Sequence, residues 1–293
     1  MFTTAHFRIT SGKDFHLKDH PTELKEHFSK DELKDLLAED RARIIDLQEL
    51  LYAEKKRSLL LIFQAMDAAG KDSCIDHVLS GVNPQGCSVT AFKQPSAEEL
   101  AHDFLWRHAK AVPERGMIGV HNRSHYEEVL VVKVHPEYLL GQRLPGIERP
   151  EDANAAFWER RYASIRAWEE HITANGVTIM KFFLHMGRKE QRKRFLERID
   201  DPRKNWKFSL GDVKERARFG DYMNAYEDAI RATATAHAPW YVVPADEQWE
   251  TRAIVGRLVR ERMEALDLKH PALDEAAQAE LEAMRNTLTA EKG

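Results

Sequence analysis

Leu59-Leu60-Leu61-Ile62-Phe63-Gln64-Ala65-Met66-Asp67-Ala68-Ala69-Gly70-Lys71-Asp72-Ser73 carries the strongest structural signal in this sequence. Its first five residues are apolar without interruption, which is typical of a parallel β-strand buried on both faces. The polar part ends in Gly70-Lys71, and a helical pattern follows over residues 74–79. This order of strand, loop and helix predicts a phosphate-binding loop, in which backbone N–H groups and a helix N-terminus hold phosphate oxygens.

The loop departs from the usual pattern G-x-x-x-x-G-K-[ST] at two positions. Ala65 replaces the first glycine, and Asp72 replaces the Ser or Thr, so that Ser73 comes one residue late. Asp67 inside the loop predicts a Mg²⁺ ion between its carboxylate and the phosphates, because Mg²⁺ prefers such oxygen ligands. The alternative is an ordinary strand-to-helix turn that needs Gly70 for its backbone angles.

Short apolar runs and helical patterns alternate along the rest of the chain. The capping box Ser29-Lys30-Asp31-Glu32 starts a helix that runs to residue 54. Alternation of strands and helices predicts an α/β fold of three layers, with a mostly parallel sheet flanked by helices. Further strands are predicted at 87–92, 117–120, 177–184 and 240–243, and further helices at 97–111, 154–173, 189–199, 220–235 and 248–266.

Composition and charge narrow the class of protein. The chain has 293 residues with a net charge of -4, and its longest apolar run has five residues, far short of the roughly 20 that cross a bilayer. No secretory signal is visible, and Cys74 and Cys87 fit neither a disulfide framework nor a zinc site, so we expect a cytoplasmic protein. Residues 181–218 are exceptional, with 13 Lys and Arg against 6 Asp and Glu, and this basic window predicts a polyanionic ligand.

Four further motifs carry a family resemblance. They are Ser80-Gly81-Val82-Asn83-Pro84-Gln85-Gly86-Cys87, Phe92-Lys93-Gln94-Pro95-Ser96, Asn122-Arg123-Ser124-His125-Tyr126-Glu127 and Asp201-Pro202-Arg203-Lys204-Asn205-Trp206-Lys207-Phe208-Ser209. Together with the loop they closely resemble the polyphosphate kinase 2 family. The resemblance implies a thymidylate-kinase-like P-loop fold and transfer of a phosphoryl group between inorganic polyphosphate and a nucleotide, with Mg²⁺, or Mn²⁺ in its place, as cofactor.

The resemblance also implies partners and chain organisation. The two motifs at 81–86 and 122–127 look most like the subgroup that accepts both AMP and ADP, with ATP as the product from ADP. We expect a homo-oligomer that binds neither nucleic acid nor membrane. One P-loop kinase domain would span 1–293, with an N-terminal extension at 1–28, a helical lid at about 187–218 and a C-terminal tail at 271–293.

Site residues follow from the resemblance position by position. Asp67, Lys71 and Arg123 match catalytic positions, and Asp67 matches the metal ligand. Glu127 matches the acid linked to acceptor choice, with Glu128 as a less certain neighbour. Phosphate or nucleotide binding is implied for Ala68, Ala69, Gly70, Lys71, Asp72, Ser73, Lys93, Asn122 and Glu127. Polyphosphate binding by the lid is implied for Arg194, Arg198, Lys204 and Lys207.

Alternatives remain at this point. After the strand predicted at 117–120, a P-loop enzyme usually has an aspartate, whereas this chain has His121-Asn122, which leaves metal binding at that strand open. His121 and His125 could share a metal only if they lay on a helix with a third ligand. Two other functions remain open. An ATP-dependent nucleoside monophosphate kinase would use ATP, not polyphosphate, as its donor. A non-catalytic nucleotide-binding regulator would show no turnover with any donor.

Overall fold

The computed structural model describes residues 3–207 and 209–291, and the side chains of Lys207 and Leu210 lie outside this description. Six strands form one sheet: β1 (Arg8–Ile9), β2 (Ser58–Ala65), β3 (Cys87–Ala91), β4 (Ile118–Asn122), β5 (Val177–His185) and β6 (Trp240–Pro244). The helices are α1 (Lys30–Glu54), α2 (Lys71–Leu79), α3 (Ala97–Ala101), α4 (Trp106–Ala109), α5 (Val131–Val134), α6 (Ala155–Ala174), α7 (Arg188–Asp200), α8 (Leu210–Ala217), α9 (Phe219–Thr233), α10 (Gln248–Glu264) and α11 (Glu275–Ala290).

The sheet order is β1-β6-β5-β2-β4-β3, and only β1 runs antiparallel to its neighbour. Strand β2 lies between β5 and β4, so its carboxyl end is at the centre of the sheet. Connections leave β2 and β4 toward opposite sides, and this reversal opens a crevice at the carboxyl ends of the strands. The predicted α/β fold with a mostly parallel sheet is confirmed.

Helices cover both faces of the sheet. Along β2, Leu59, Leu61 and Phe63 join the core beneath α1, α2 and α10, whereas Leu60 and Ile62 join the core beneath α5, α6 and α9. Every residue of β2 is buried, which is why its sequence shows no alternation of apolar and polar residues. The three-layer arrangement holds the loop after β2 on a rigid strand.

Local predictions are confirmed where the chain carries a strong pattern. The capping box of α1 forms, with the Ser29 side chain accepting from Glu32 N–H and the Glu32 side chain accepting from Ser29 N–H. The single helix predicted over 97–111 is wrong, because α3 ends at Ala101 and the Asp103 carboxylate accepts the N–H of Leu105 in a turn before α4 begins.

The N-terminal extension contributes a short strand to the sheet, and the C-terminal tail contains a helix. Strand β1 pairs with β6 through only Arg8 and Ile9, a length too short to leave a pattern in the polar N-terminal extension. The predicted C-terminal tail contains helix α11, and none of the residues of this helix is buried. Among the described residues, no helix is both long enough and apolar enough to span a bilayer.

Candidate active site

The loop between β2 and α2 has the backbone shape that its sequence predicts. Gly70 adopts φ +95°, and Ala68 adopts φ +68°, so two residues of the loop are left-handed. An alanine in this region costs about 1 kcal/mol, and the loop must be held by its surroundings. Helix α2 begins at Lys71, directly after Gly70. Its first-turn N–H groups therefore face the crevice at the centre of the sheet.

Lys71 projects back over the loop. Its ammonium donates to the carbonyl of Ala65 at 2.8 Å. Loss of surrounding water, followed by the charge of Arg123, lowers the pKa of Lys71 to about 8. A phosphate group beside this ammonium would favour its charged form.

Arg123 links two carboxylates. It donates to Asp67 Oδ1 at 2.9 Å and to Glu127 Oε2 at 3.4 Å, and the charges of Glu127 and then Asp67 raise its pKa. Register explains the proximity: Phe63 pairs with Asn122, so the residue after β4 lies beside the loop that follows β2. Arg123 itself adopts φ +63°. Asp67 and Arg123, which the sequence predicts to be catalytic, and the acceptor candidate Glu127 thus lie in one place.

Asn122 and Asp72 contact each other across the same crevice. The amide of Asn122 donates to the Asp72 carboxylate. This contact joins the first turn of α2 to the end of β4.

A cleft opens between these residues and helices α8 and α9. Its polar walls are Asp67, Arg123, Glu127 and Glu215, and its aromatic walls are Tyr222 and Tyr226. The Tyr222 hydroxyl donates to Glu215 at 2.6 Å, which joins α9 to α8. The cleft thus combines charged side chains near the loop with aromatic side chains from α9.

A buried polar network supports the turn that carries Glu127. The Tyr126 hydroxyl donates to Glu169 at 2.8 Å, and Lys181 donates to Glu169 at 2.7 Å. All three side chains are fully buried. Burial lowers the pKa of Lys181, while the neighbouring ammonium helps to keep the pKa of Glu169 below its usual value. The network ties the His125–Glu128 turn to α6 and β5.

Arg194 occupies a different place from the one expected of a polyphosphate ligand. Its guanidinium is buried and donates to four carbonyls, those of Ala68 (3.2 Å), Ala69 (3.1 Å), Ala245 (2.8 Å) and Asp246 (2.9 Å). It thereby holds the left-handed part of the loop against the lid helix α7. The geometry favours a positioning role for Arg194.

Arg194→Gln is expected to destabilise the protein by about 2–4 kcal/mol, because it leaves buried carbonyls and the Glu190 carboxylate without their donor. We expect KM to rise alike for polyphosphate and nucleotide. Chemical denaturation and steady-state kinetics measure the two effects. A rise in KM for polyphosphate alone, with unchanged stability, would instead support direct binding.

The other predicted lid residues are more exposed. Arg198 lies 3.6 Å from Asp212, and Lys204 lies 3.5 Å from Asp201. The side chain of Lys207 lies outside the described part of the chain. Trp206, in the connection between α7 and α8, is 78% exposed.

Three residues that the sequence assigns to the site lie away from the loop after β2 or contact other side chains. Lys93 is exposed in the segment after β3, two strands from the loop. The Ser73 hydroxyl accepts from Arg252 at 2.8 Å. Glu128 is buried and pairs with Arg161 at 2.8 Å, so its carboxylate serves the packing of α6.

The donor set fits a Mg²⁺ ion that is shared with phosphate. Among the described residues, no three His, Cys, Asp or Glu side chains are arranged to hold a metal ion by themselves. Mg²⁺ commonly takes only one or two carboxylates and completes its shell with phosphate oxygens and water. Asp67, with Asp72 nearby, can supply those carboxylates. His121 and His125 are both buried and form no part of a metal group within the described ranges.

Sequence reasoning missed the residues that the lid and the following helix α9 contribute. Glu215, Tyr222 and Tyr226 line the cleft, and Gln191 donates to the carbonyl of Asp67 at 3.1 Å. The strongest amphipathic patterns in this part of the chain lie in α8 and α9, but such patterns indicate a buried helix face and do not distinguish cleft from core.

A phosphate loop at the switch point of a parallel sheet, with a lysine and an arginine aimed at it, defines a P-loop phosphotransferase. Residues 27–271 match the sequence profile of the family described as polyphosphate kinase 2. The chain belongs to the polyphosphate kinase 2 family.

Two curated relatives and one solved structure are similar over most of their length. An ADP-polyphosphate phosphotransferase of Rhodopseudomonas palustris is 51% identical over 97% of this chain and 98% of its own. An AMP/ADP-polyphosphate phosphotransferase of Meiothermus ruber is 44% identical over 80% of this chain and 83% of its own. The crystal structure of polyphosphate kinase 2 from Arthrobacter aurescens superposes with a TM-score of 0.83 at 41% identity, covering 95% of this chain and 98% of that one.

Proposed function

We propose that this enzyme transfers the terminal phosphoryl group of inorganic polyphosphate to ADP, forming ATP, and to AMP, forming ADP. One observation carries the proposal: Lys71, the Asp67–Arg123 pair and Glu127 meet at the carboxyl end of β2. The names of the two curated relatives supply the substrate class.

Side chains and backbone N–H groups of this protein can bind the donor phosphates and neutralise the charge of the transferred phosphoryl group. Phosphoryl transfer requires in-line positioning and cations around the transferred group more than a covalent intermediate. Lys71 and the N–H groups at the start of α2 bind the donor phosphates, while Arg123 lies between donor and acceptor sides. Mg²⁺ held at Asp67 would add further neutralisation of phosphate charge when bound.

Donor choice separates this function from an ATP-dependent nucleoside monophosphate kinase. The purified protein is incubated with Mg²⁺, polyphosphate and either ADP or AMP, and the nucleotides are followed by chromatography. We expect ATP from ADP, and ADP from AMP, without added ATP. Turnover that requires ATP as the donor to AMP would support the kinase, and absence of turnover with every donor would support a regulator.

Acceptor range is the finer question, since one relative is named for ADP alone and the other for AMP and ADP. Glu127 is the residue in the cleft that the sequence links to this choice. Its carboxylate faces Arg123 and lies beside Tyr226. We propose that Glu127 fixes the position of the Arg123 guanidinium relative to AMP, the shorter of the two acceptors.

Glu127→Asn is expected to reduce kcat/KM for AMP at least about fivefold more than for ADP, equivalent to about 1 kcal/mol of selective stabilisation. The reason is that Arg123 loses one of its two anionic partners on the acceptor side. Initial rates with each acceptor at saturating polyphosphate measure the ratio. Glu151→Gln, at an exposed site outside the cleft, is the matched control. An unchanged ratio would remove Glu127 from acceptor choice.

We also propose a cytoplasmic homo-oligomer. Both cysteines are free thiols, and burial raises the pKa of Cys74 to about 12, which keeps it unreactive. Size-exclusion chromatography with light scattering tests the assembly.

A further inference from the structure

The N-terminal extension meets the start of the lid helix α7 at Asp246, just after β6. The carbonyl of Thr22 accepts the N–H groups of Ala245 at 3.1 Å and of Asp246 at 2.9 Å. The Thr22 hydroxyl donates to Asp246 Oδ2 at 2.7 Å, and the other carboxylate oxygen, Oδ1, accepts the N–H of Gly187 at 2.6 Å. One carboxylate therefore joins the extension to the residue that precedes α7.

Helix α7 starts differently from α1 and α3. In those two helices a serine accepts from the third residue of the helix, and a glutamate at that residue accepts from the serine. In α7 the capping position is Gly187, and the Glu190 carboxylate accepts from Arg194 at 3.0 Å. The helix also begins with Arg188-Lys189, two cations that the positive end of a helix dipole disfavours. Asp246 thus supplies an anion and a hydrogen-bond acceptor from outside the helix.

Packing around Gly187 shows that the carboxylate takes the space of a side chain. A Cβ atom on Gly187 would lie 2.9 Å from Asp246 Oδ2 and 3.4 Å from the Thr22 hydroxyl oxygen. The φ of Gly187 is -71°, a value that any residue adopts. The position of the Asp246 carboxylate, and not the backbone conformation, therefore favours glycine before α7.

Two side chains connect the start of α7 to the phosphate loop. The N–H of Gln191 donates to the carbonyl of Gly187 at 3.0 Å, and its side chain donates to the carbonyl of Asp67 at 3.1 Å. Arg194 donates to the carbonyls of the next two loop residues and to that of Asp246 at 2.9 Å. A shift at the start of α7 would therefore move both donors relative to the loop.

We propose that Asp246, held by Thr22, is a positioning residue that fixes the lid helix over the phosphate loop. Thr22, Asp246 and Gly187 together are called the Asp246 clamp. The inference rests on the proposed function and deepens it, because it gives the N-terminal extension a role in the same site. Asp246 acts through α7, and so through Gln191 and Arg194, without touching either substrate.

Hydrogen exchange followed by mass spectrometry tests the clamp in the free enzyme, independently of turnover. In Asp246→Ala, the amides of α7 are expected to exchange at least about tenfold faster than in wild type, while those of β2 stay unchanged. kcat/KM with polyphosphate should fall at least about fivefold with either acceptor, and the ratio between AMP and ADP should stay the same. Thermal melting checks that the variant is folded.

A serine at position 187 should rescue this variant. Gly187→Ser supplies a hydroxyl that can accept the N–H of Glu190, as Ser29 does for Glu32 in α1. Asp246→Ala vacates the space that the new side chain needs, so Asp246→Ala/Gly187→Ser should recover slow exchange in α7 and part of the activity. In wild type the same serine meets the carboxylate and should bring no gain, which makes the two positions coupled.

Thr22→Val tests the extension, because it removes the hydroxyl and keeps the shape of the side chain. We expect faster exchange in α7 and a lower kcat/KM, as in Asp246→Ala but smaller, since the backbone bonds of Thr22 remain. Thr4→Val is the matched control. The Thr4 hydroxyl also donates from the N-terminal extension to a carboxylate, that of Glu261 on α10 at 2.7 Å, and its loss should change neither quantity.

The outcomes separate this inference from the proposed function. Unchanged exchange in α7 of Asp246→Ala, equal effects of Thr22→Val and Thr4→Val, or an equal gain from Gly187→Ser in both backgrounds would overturn the clamp. Faster exchange with an unchanged kcat/KM would overturn the positioning role. Wild-type protein that transfers nothing from polyphosphate would overturn the proposed function, while the exchange comparison would stay valid.

Discussion

Lys71→Met is expected to lower kcat with polyphosphate and ADP by about three orders of magnitude, or about 4 kcal/mol of transition-state stabilisation. Lys71 is the loop cation whose ammonium already lies 2.8 Å from a loop carbonyl, where donor phosphates are expected to bind. A methionine keeps an unbranched side chain, one atom shorter than that of lysine, and removes the charge and the hydrogen-bond donors. Single-turnover kinetics at saturating substrate measure the effect on the chemical step.

The same variant should not lose stability. The pKa of Lys71 falls from 10.5 to about 8 in the folded chain, so its charged form is disfavoured by folding. That cost is fully present below about pH 8 and disappears as the pH rises toward 10.5. Lys71→Met should therefore match or exceed the wild-type Tm below pH 8, with the difference shrinking at higher pH. A large fall in Tm would indicate that lost folding explains the lost activity.

Asp67→Asn is expected to lower kcat/KM about a hundredfold at limiting Mg²⁺, or about 2.7 kcal/mol. The carboxylate is the proposed metal ligand and also one of two anionic partners of Arg123. If the defect is mainly in metal binding, raising Mg²⁺ should recover part of the rate. Rates measured across a Mg²⁺ titration for wild type and variant test this, and an unchanged Mg²⁺ dependence would argue against metal binding by Asp67.

The two loop residues should act as one unit. Because Asp67 and Lys71 serve the same bound phosphate, the double variant should be little slower than Lys71→Met alone. Fully additive losses would instead favour two independent roles and the interpretation of this segment as an ordinary turn.

The sequence alone determined the parts of the molecule that depend on local pattern. The continuous apolar run of β2, the loop with Gly70-Lys71 and the capping box of α1 predicted elements that the structure contains. Each of these patterns depends on residues close together in the sequence. A strand buried on both faces, such as β2, has no alternation of polar and apolar residues. The start of α1 needs a side-chain hydrogen-bond acceptor, and the left-handed turn before α2 favours glycine. The family motifs added residues of the site that local pattern does not identify.

Only the tertiary structure decided which charged side chains face a ligand and which serve the fold. Arg192 and Arg194 are two residues apart in one basic run, yet Arg194 is buried and donates to loop carbonyls, whereas Arg192 is exposed. Glu127 and Glu128 are adjacent, yet one faces Arg123 and the other pairs with buried Arg161. A helix or turn sends successive side chains in different directions, so the partner of each charge depends on which distant segment packs against it.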